Sequence, residues 1–566
     1  MAAEIRRRPG HAAGQFGAEL HPVLRRVYAA RNLASDDELD LSLHRLLPVG
    51  SLDGVDAAAQ LLLEHRQAGH VLVIGDFDAD GATSSALVVR ALRRLGFAQA
   101  DFLVPNRFQF GYGLTPEIVA LAATRRPSLL MTVDNGVSSI EGVEAARASG
   151  IPVLITDHHL PCAELPRAAR IVNPNLSGSA FASPSLAGVG VAFYVVVALV
   201  RALGLEDFNP ADLLDLVALG TVADLVPLDR NNRVMVAQGL RRIRAGRCLP
   251  GIRALFAEGA RRLEQATAAD LAFAVAPRLN AAGRLTDMSV GVACLLADDP
   301  AEAQRLAVQL SALNDERREI ERRMQGEALQ IAAGLRLADG AESLGLCLFD
   351  AGWHQGVVGL VAGRIKDRLH RPVIAFARAE DGWLRGSARS IGGVHIRDAL
   401  QNIASSHPGL LARFGGHAMA AGLTLRESQL ERFRAAFAAE VANRVDPQSL
   451  GGVILSDGPL LDDELSLDTA RALRLAGPWG QGFPEPIFDG EFAVLAAQVV
   501  GERHLKLKLA AGAGPLDAIA FGYLDGAADP ALPRAGTRVQ VAYRLEVNEY
   551  NGRQTVQLNC QQVKPA

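Results

Sequence analysis

Three carboxylates stand at alternate positions after a short apolar run, Val71–Ile74, which is predicted to be a buried strand. Asp76, Asp78 and Asp80 lie within five residues and repel one another unless a cation binds among them. Hard divalent cations bind carboxylate oxygens. The spacing therefore predicts a metal site, although in isolation it is also typical of a solvated acidic turn.

Two further polar clusters each follow a predicted strand: Asp134 in the sequence DNG, and Asp157, His158 and His159 in the sequence DHH. Helices are predicted between the strands, the first from about Ala86 to Leu95. This alternation predicts a doubly wound parallel sheet, whose strand ends share one edge. We therefore expect clusters that are distant in sequence to converge in space.

A mixed carboxylate and imidazole set favours Mn²⁺ or Mg²⁺ over a thiolate-type zinc site. The predicted ligands are Asp78, Asp80, Asp134, His158 and Asp224, the last from the sequence VAD in a helical region. Asp134 is the candidate to bridge two ions, an arrangement that clamps the attacking and leaving oxygens of a phosphoryl displacement. The alternative for the histidine pair is one structural and one exposed histidine.

Several residues have the chemistry to bind phosphates or bases, since arginine suits phosphate oxygens and aromatic rings stack on bases. The candidates are Arg107, Arg278 and Arg389 for phosphates, Tyr112 with Phe108 and Phe110 for bases, and His417 in FGGHAMAAG for a phosphate oxygen. The alternatives are ordinary exposed arginines, loop packing for the two phenylalanines, and a tight turn with a packed histidine.

The composition excludes several other classes of protein. The chain has 566 residues and a net charge of -4, so several domains are expected and a uniformly basic nucleic-acid coat is excluded. No GxxxxGK[ST] or GxSxG sequence occurs, which argues against a phosphate-loop motor and a serine hydrolase. The five cysteines are scattered, which favours a reducing cytoplasm. No secretory signal or membrane span is expected, and the apolar run Leu186–Val200 predicts a buried helix.

The strand and helix patterns predict an α/β protein with an all-β C-terminal module of about five strands, plausible as a Greek-key barrel. The predicted divisions are an extension packing on the first domain (1–50), a doubly wound domain with a helical part (51–298), a long connecting helix (299–340), a smaller α/β domain (341–445) and the β-barrel (446–566).

The ordered motifs DFDADG, DNG, DHH and VAD resemble the DHH phosphoesterase superfamily. The later sequences GWHQGVVG, GSARS and FGGHAMAAG are similar to its DHHA1-type second domain, and the terminal module resembles the OB-fold. Together they cover essentially the whole chain and resemble one branch, the bacterial single-stranded-DNA-specific 5′→3′ exonucleases. The superfamily's pyrophosphatases carry a histidine where this chain has Ile74, so Asp76 is expected to compensate.

This resemblance implies a role for each candidate residue. Two Mn²⁺ or Mg²⁺ ions would bind the five ligands given above, and Asp76, Asp157 and His159 would be catalytic or adjacent to the ligands. Arg107 and His417 would hold substrate phosphates, and Tyr112 would meet bases. The remaining implied substrate-binding residues are Arg278, Asn280, Ser387 and Arg389.

The implied mechanism threads single-stranded DNA by its 5′ end into a channel formed when the second lobe closes over the first through the long helix. Hydrolysis would release mononucleotides, and the OB module would grip the incoming strand. A monomer is expected, acting in DNA repair and recombination, with single-strand-binding protein and a helicase as candidate partners. Two alternatives remain: an oligonucleotide or cyclic-dinucleotide phosphodiesterase of the superfamily, and a non-catalytic replication scaffold of the same fold.

Overall fold

The computed structural model describes residues 3–9, 14–338, 344–445, 450–512, 514–524 and 532–566. Two compact units are present. The smaller unit comprises Met1–Arg6 and Asp315–Ile454, and the larger unit comprises Arg7–Asn314 and Leu455–Ala566. The C-terminal barrel therefore belongs to the same unit as the first α/β domain.

The larger unit contains the predicted parallel sheet of five strands. In spatial order the strands are Gln99–Leu103, His70–Gly75, Leu129–Val133, Val153–Thr156 and Arg170–Val172. His70–Gly75 comes first in the chain. The next strand, Gln99–Leu103, pairs with one side of it, and Leu129–Val133 pairs with the other side, where the later strands follow. The strand order thus reverses beside His70–Gly75, and the carboxyl ends of strands at such a point form the usual ligand site of α/β proteins.

Helices cover this sheet and extend beyond it. They are Val55–Glu64, Ala79–Arg94, Pro116–Ala123, Ile140–Ala148, Gly188–Leu203, Leu214–Ala223, Arg230–Arg244, Pro250–Glu258, Ala268–Asp270, Ala276–Leu285 and Ser289–Leu296, with a π-helical turn at Leu271–Val275. The predicted apolar helix is buried along most of Gly188–Leu203. Near the N-terminus, helix Pro22–Ala29 buries Val23, Leu24 and Val27 in the same core.

One predicted boundary was wrong. The helix expected from about Ala86 begins at Ala79, seven residues earlier. Its start is fixed by Asp78, whose carboxylate accepts hydrogen bonds from the amides of Asp80 (2.9 Å) and Gly81 (3.0 Å). A carboxylate in this N-cap position satisfies amides that the helix itself leaves unbonded. Asp80 consequently lies on the helix rather than in a loop.

The predicted long helix is Pro300–Ala338, with 39 residues. The boundary between the two units falls inside this helix, between Asn314 and Asp315. The smaller unit contains a mixed five-stranded sheet in the order Arg413–Gly416, Ala420–Arg426, Trp383–Arg389, Val373–Arg378 and Leu346–Phe349. Its further helices are Val358–Leu369, Ile396–Ser406 and Leu430–Ala442. Two short strands, Glu4–Arg7 and Val453–Ser456, complete the strands that precede the barrel.

The predicted C-terminal module is a closed five-stranded barrel, preceded by helix Leu467–Leu475. The strands, in order around the barrel, are Phe488–Val500, His504–Ala511, Gly514–Ala520, Arg553–Pro565 and Arg538–Tyr550. Alternate residues of each strand face inward. The inward-facing leucines join one continuous hydrophobic core with the first α/β domain.

Among the described residues, no single helix is both long and apolar enough to cross a membrane. One pair, Leu43–Ser51 with Val55–Glu64, reaches that length and apolarity only together and is bent by 75°. The five cysteines, all within described segments, are free thiols, as their scattered positions predict.

Candidate metal centre and substrate-binding residues

The first carboxylates of the site follow strand His70–Gly75 directly. Asp76 is 5% exposed, and its Oδ1 is buried without a hydrogen-bond donor among the described residues. Asp78 uses Oδ1 to cap the following helix, which leaves Oδ2 for another ligand. The strand therefore delivers a buried acceptor, and the helix cap fixes the carboxylate beside it.

Asp80 is fully buried and binds the start of another helix. Its two oxygens accept hydrogen bonds from the amides of Gly188 (2.6 Å) and Val189 (3.0 Å), at the beginning of Gly188–Leu203. Helix N-termini stabilise negative charge. Residue 188 must be glycine, because a Cβ there would lie 2.6 Å from Cβ of Asp134. The N-terminus of helix Gly188–Leu203 is therefore in contact with Asp80 of the first acidic cluster and with Asp134 of the second.

Asp134 lies where strand Leu129–Val133 ends and has a left-handed backbone with φ of 62°. Non-glycine residues in this region cost conformational energy and concentrate at functional sites. The next residue holds the turn, because Asn135 Nδ2 donates to the carbonyl oxygens of Ile74 (3.1 Å) and Val133 (2.9 Å). The strained turn places the Asp134 carboxylate, 2% exposed, over the end of the neighbouring strand.

Asp157 organises the two histidines that follow it. Its Oδ1 accepts from the amide of His158 (2.7 Å) and from Nδ1 of His159 (2.7 Å), while Oδ2 accepts from the amide of Val137 (2.9 Å). Although burial opposes both effects, the hydrogen bond between the side chains lowers the pKa of Asp157 and raises that of His159. Asp157 is therefore a positioning residue for the histidine pair.

His158 joins the acidic clusters to a distant helix end. Its Nε2 lies 3.1 Å from Oδ1 of Asp134 and 3.5 Å from Oδ2 of Asp224. Asp224 caps the C-terminal end of helix Leu214–Ala223. The convergence predicted from strand-end positions is confirmed for these side chains, although Asp224 arrives from a helix rather than a strand.

Three groups of side chains have ligand atoms within 4.8 Å of one another: Asp76, Asp78 and Asp134; Asp80, His158 and Asp224; and Asp134, His158 and His159. The first two share no residue, and Asp134 and His158 join them at 3.1 Å. The five predicted ligands all occur in these groups, and Asp76 and His159 add two more candidates. The structure thus offers places for two neighbouring cations.

The charge of this cluster fits cations. Burial, and then the neighbouring carboxylates, raise the pKa of Asp76, Asp134 and Asp224 well above the ordinary carboxyl value. The same two causes raise the pKa of Asp80 to about 7. Asp76 Oδ1 and Asp134 Oδ1 are both buried, and neither accepts a hydrogen bond from the described residues, although His158 Nε2 lies close to Asp134 Oδ1 in an ion-pair contact. Buried carboxylates without donors are the ligands that hard divalent cations take.

Tyr112 and Arg107 lie against this cluster. The Tyr112 hydroxyl donates to the carbonyl oxygen of Asp134 (3.3 Å) and lies 3.3 Å from Nε2 of His159, while 46% of the residue is exposed. Arg107 stacks over the ring of Phe77 at 4.4 Å. Its positive charge lowers the pKa of Asp76, against the larger effect of burial. Both residues are therefore beside the candidate metal groups.

Two predicted substrate residues, Arg278 and Asn280, make hydrogen bonds within the protein. Arg278 is 7% exposed, and its guanidinium donates to the carbonyl oxygens of Ala274 and Glu258 (2.6 Å) and to Oγ of Ser311 (3.3 Å). Asn280 Oδ1 accepts the amide of Ala79 (2.8 Å), at the start of the helix that carries Asp80. Asn280 therefore supports the acidic loop, and the phosphate contacts expected of both residues remain predictions.

Ser387 and Arg389 lie two residues apart on strand Trp383–Arg389 of the smaller unit. Arg389 Nη1 donates to Ser387 Oγ (3.0 Å), and burial lowers the pKa of Arg389. Gly359, in the first turn of helix Val358–Leu369, has no side chain to fill this hollow: a Cβ there would lie 2.8 Å from Ser387 Oγ. The pair lies beside a helix N-terminus, an arrangement that binds phosphates.

His417 lies in the turn between strands Arg413–Gly416 and Ala420–Arg426, and its amide donates to the carbonyl oxygen of Ala420 (2.8 Å). Its side chain is exposed. Phe110 packs against the core beneath the sheet, which agrees with the loop-packing alternative. The structure thus shows that His417 lies at the surface and that Phe110 packs against the core, which the sequence motifs alone do not indicate.

The sequence analysis missed several supporting residues. Asn173 and Asn175 donate from their side chains to the carbonyl oxygens of His159 (2.9 Å) and His158 (2.6 Å). Both stand in the sequence NPN directly after a strand, and that position is the signal that could have identified them. No sequence signal identifies the backbone N–H groups of Gly188 and Val189 as partners of Asp80, because every residue except proline has such a group.

Three domain families match the chain. The DHH family N-terminal domain matches residues 70–221, the DHHA1 domain matches residues 342–443, and the RecJ OB domain matches residues 456–562. The predicted fold class, with a DHH-type sheet, a DHHA1-type domain and an OB barrel, is confirmed. The predicted division points remain predictions.

The chain is 52% identical over 576 residues to the single-stranded-DNA-specific exonuclease RecJ of Escherichia coli (strain K12), with 99% of each chain covered. The crystal structure of RecJ from Thermus thermophilus in complex with Mn²⁺ has a TM-score of 0.81 at 33% identity and covers 97% of this chain and 76% of that chain. The complex of the same protein with Mg²⁺ has a TM-score of 0.75 at 32% identity, with 97% and 75% covered.

These relationships extend over the first domain, the second domain and the barrel together. They do not favour a phosphodiesterase of small nucleotides or a non-catalytic scaffold, and the predicted carboxylates are all present and grouped. The metal-bound relatives and this grouping support the predicted divalent-metal cofactor. The chain belongs to the RecJ family of single-stranded-DNA-specific exonucleases.

Proposed function

We propose that the chain hydrolyses single-stranded DNA from its 5′ end and releases mononucleotides with the help of two Mn²⁺ or Mg²⁺ ions. The observation that carries this proposal is the meeting of two separate groups of buried and half-buried acidic and histidine side chains beside the carboxyl ends of the parallel strands. The near full-length relationship to exonucleases that act on single-stranded DNA supports the substrate class.

In this proposal Asp76, Asp78 and Asp134 would hold the first ion, and Asp80, His158 and Asp224 would hold the second. Asp134 Oδ1 lies 3.1 Å from His158 Nε2 and so connects the two groups. When bound, such ions activate water and neutralise charge on the phosphate that is attacked. The protein fixes part of this set of oxygens by its own hydrogen bonds, because the amides of Gly188 and Val189 hold Asp80 and the amides at the start of helix Ala79–Arg94 hold Asp78.

Other side chains prepare the substrate. Asp157 orients His159, whose raised pKa suits it to hold a proton beside the leaving oxygen, and the Tyr112 hydroxyl is in reach of the same ring. The exposed face of Tyr112 is free to stack against a base. Ser387 and Arg389 are proposed to receive the 5′ phosphate, because a half-buried guanidinium beside a hydroxyl and a helix N-terminus matches its charge and oxygens.

The barrel is proposed to bind the following nucleotides. Lys506 and Lys508 point outward on one strand, and Phe521 is 61% exposed against the ring of His504. Cations with an exposed aromatic ring bind single strands without reading sequence. We place this activity in DNA repair and recombination in the cytoplasm, by a monomer, with single-strand-binding protein and a helicase as partners.

The test is digestion of one single-stranded oligonucleotide labelled at the 5′ end and, separately, at the 3′ end. With Mn²⁺ or Mg²⁺, the 5′ label should appear at once as a mononucleotide, while the 3′-labelled strand shortens progressively. No release should occur with chelator. Immediate release of a 3′-terminal mononucleotide, or equal digestion of duplex DNA with blunt ends, would contradict the proposal.

A further inference from the structure

Outside the metal groups, the larger unit contains a cavity of about 250 Å³ lined by three arginines, Arg233, Arg241 and Arg244. All three come from helix Arg230–Arg244 and lie on one of its faces, at spacings of eight and three residues. The wall opposite is formed by the N-terminal segment with Tyr28 and Glu38, and by the turn that contains Gly477 and Pro478. Glu38 is the one carboxylate among the described lining residues. We call this space the arginine cavity.

Arg233 has the most unusual position. It is 6% exposed, and its guanidinium lies over the ring of Phe483 at 4.3 Å. No hydrogen bond from this guanidinium reaches any described residue, and its Nε is fully buried without an acceptor. Burial lowers the pKa of Arg233. A buried guanidinium with unused donors is costly to a fold unless a ligand accepts from it.

The other two arginines also keep donors available. Arg244 uses Nε to donate to the carbonyl oxygen of Ala266 (2.8 Å), and its terminal nitrogens have no acceptor among the described residues. Arg241 is exposed at the edge of the cavity, and its guanidinium makes no hydrogen bond within the described segments. Glu38 already accepts the amide of Ala34 (2.6 Å). Positive charge in the cavity therefore exceeds negative charge, and many donors point to one small space.

A second, larger cavity of about 590 Å³ adjoins the first and shares Leu240, Arg244, Gly477 and Pro478 with it. At one side it is lined by Leu225, the residue after Asp224, and by Phe273, which is 73% exposed. At another side it is lined by the barrel strand at Arg544–Val547. The two cavities are therefore adjacent, and the larger one is lined both by the residue that follows a candidate metal ligand and by a barrel strand.

We propose that the arginine cavity binds a backbone phosphate of a single DNA strand, several nucleotides away from the one at the metal groups. A phosphodiester offers oxygens to several guanidinium groups at once, and Phe273 offers a face for a neighbouring base. This inference rests on the proposed function for the identity of the strand. It adds a second phosphate site, which belongs to the larger unit, whereas Ser387 and Arg389 belong to the smaller unit.

The experiment compares Arg241→Ala with Arg247→Ala in the full chain. Arg247 is exposed just after the same helix, so its loss removes the same charge outside both cavities. Binding of fluorescent oligodeoxythymidine is measured by anisotropy with chelator present, over a series of salt concentrations. Each phosphate contact to a single strand contributes about 0.7 to the slope of log affinity against log salt. Arg241→Ala should lower this slope by about 0.7, and Arg247→Ala should leave it unchanged.

Inorganic phosphate provides the second arm. The oligonucleotide carries a 5′ hydroxyl, so that it does not occupy the proposed 5′-phosphate site at Ser387 and Arg389. In wild type, phosphate should compete with it more strongly than chloride at equal ionic strength, and Arg241→Ala should reduce that difference. Equal slopes for Arg241→Ala and wild type would overturn the proposal. Loss of phosphate competition with an unchanged slope would show a site for free phosphate and would equally overturn it. Nucleotide release by wild type, measured separately with metal, tests the proposed function, so the two ideas can fail independently.

Discussion

The acidic edge of the parallel sheet and the basic strand His504–Ala511 of the barrel carry opposite charges and are built in opposite ways. At the sheet edge, Asp80 and Asp134 are at most 2% exposed. Burial and the neighbouring carboxylates both disfavour their charged forms and raise their pKa values. On the barrel strand, Lys506 and Lys508 alternate with buried leucines and stay in water. The buried carboxylates therefore lower the free energy of unfolding, whereas the exposed lysines change it very little.

This difference predicts how each region responds to substitution. Buried groups with fixed partners should give all-or-none effects, because each removal leaves neighbours unpaired or a ligand missing. Exposed cations should give graded effects that salt suppresses. The four predictions below test this contrast, from the largest effect to the smallest.

Asp134→Asn should reduce nucleotide release by about 10³-fold or more, since a bound metal contributes several kcal/mol to the transition state. The free energy of unfolding of the metal-free protein should not fall, because the substitution removes a buried carboxylate that faces other carboxylates. Rates on a labelled single strand and chemical unfolding with chelator give the two values. The control is Asp468→Asn, since the Asp468 side chain is 90% exposed. If Asp134→Asn releases nucleotides at the wild-type rate, Asp134 is not a ligand of the metal centre.

Asp215 tests whether burial alone carries an energetic cost, because it is fully buried away from the metal groups and accepts the amides of Leu216 (2.9 Å) and Leu249 (2.8 Å). Burial raises its pKa to about 6, against the opposing charges of Arg242 and Arg90. Its folded pKa exceeds the unfolded one, so its contribution to the free energy of unfolding decreases as pH rises from about 4 to about 6.

The measurement is the unfolding free energy of wild type minus that of Asp215→Asn between pH 4 and pH 7. We expect this difference to decrease by roughly 2–3 kcal/mol across that window. The comparison cancels the titration of the metal groups, which both proteins share. Parallel pH curves for the two proteins would mean that the Asp215 carboxylate is ionised without penalty.

Arg389→Ala should lower the preference for 5′-phosphorylated over 5′-hydroxyl single strands about tenfold, the effect of one charge-assisted hydrogen bond of roughly 1–3 kcal/mol. The measurement is the ratio of degradation rates on those two substrates with metal present. Arg385→Ala is the matched control, because Arg385 is exposed on the same strand and the same face. An unchanged ratio in Arg389→Ala would assign the end preference to other residues.

The double substitution Lys506→Ala and Lys508→Ala should have the smallest effect, a decrease of about 1.4 in the salt slope of binding to long single strands. Folding should be unaffected, because both side chains are exposed. Lys564→Ala is the control, since its strand, Arg553–Pro565, does not neighbour His504–Ala511 in the barrel. If the control lowers the slope as much as the double variant, the binding face lies elsewhere on the barrel.

Local patterns predicted much of this molecule correctly. The apolar run before Asp76 is a strand, the strand order brings three acidic clusters to one edge, and the alternation Leu505 to Leu509 builds a barrel strand. The helix boundary at Ala79 was missed because its cap, Asp78, also belongs to the acidic motif. From the sequence, Asp78 is assigned to the acidic motif as a metal ligand, whereas in the structure it is also the N-cap of the helix.

The sequence by itself determined the elements, their order and the chemical character of the acidic edge, because strand alternation and apolar periodicity are properties of neighbouring residues. Only the tertiary structure decided which partner each polar group takes. Arg278 and Arg389 each donate to a backbone carbonyl and to a serine hydroxyl, yet Arg278 is 7% exposed and packed within its own unit, whereas Arg389 lies half-buried beside a helix N-terminus. Such choices join segments far apart in the chain, and only packing brings those segments within hydrogen-bond distance.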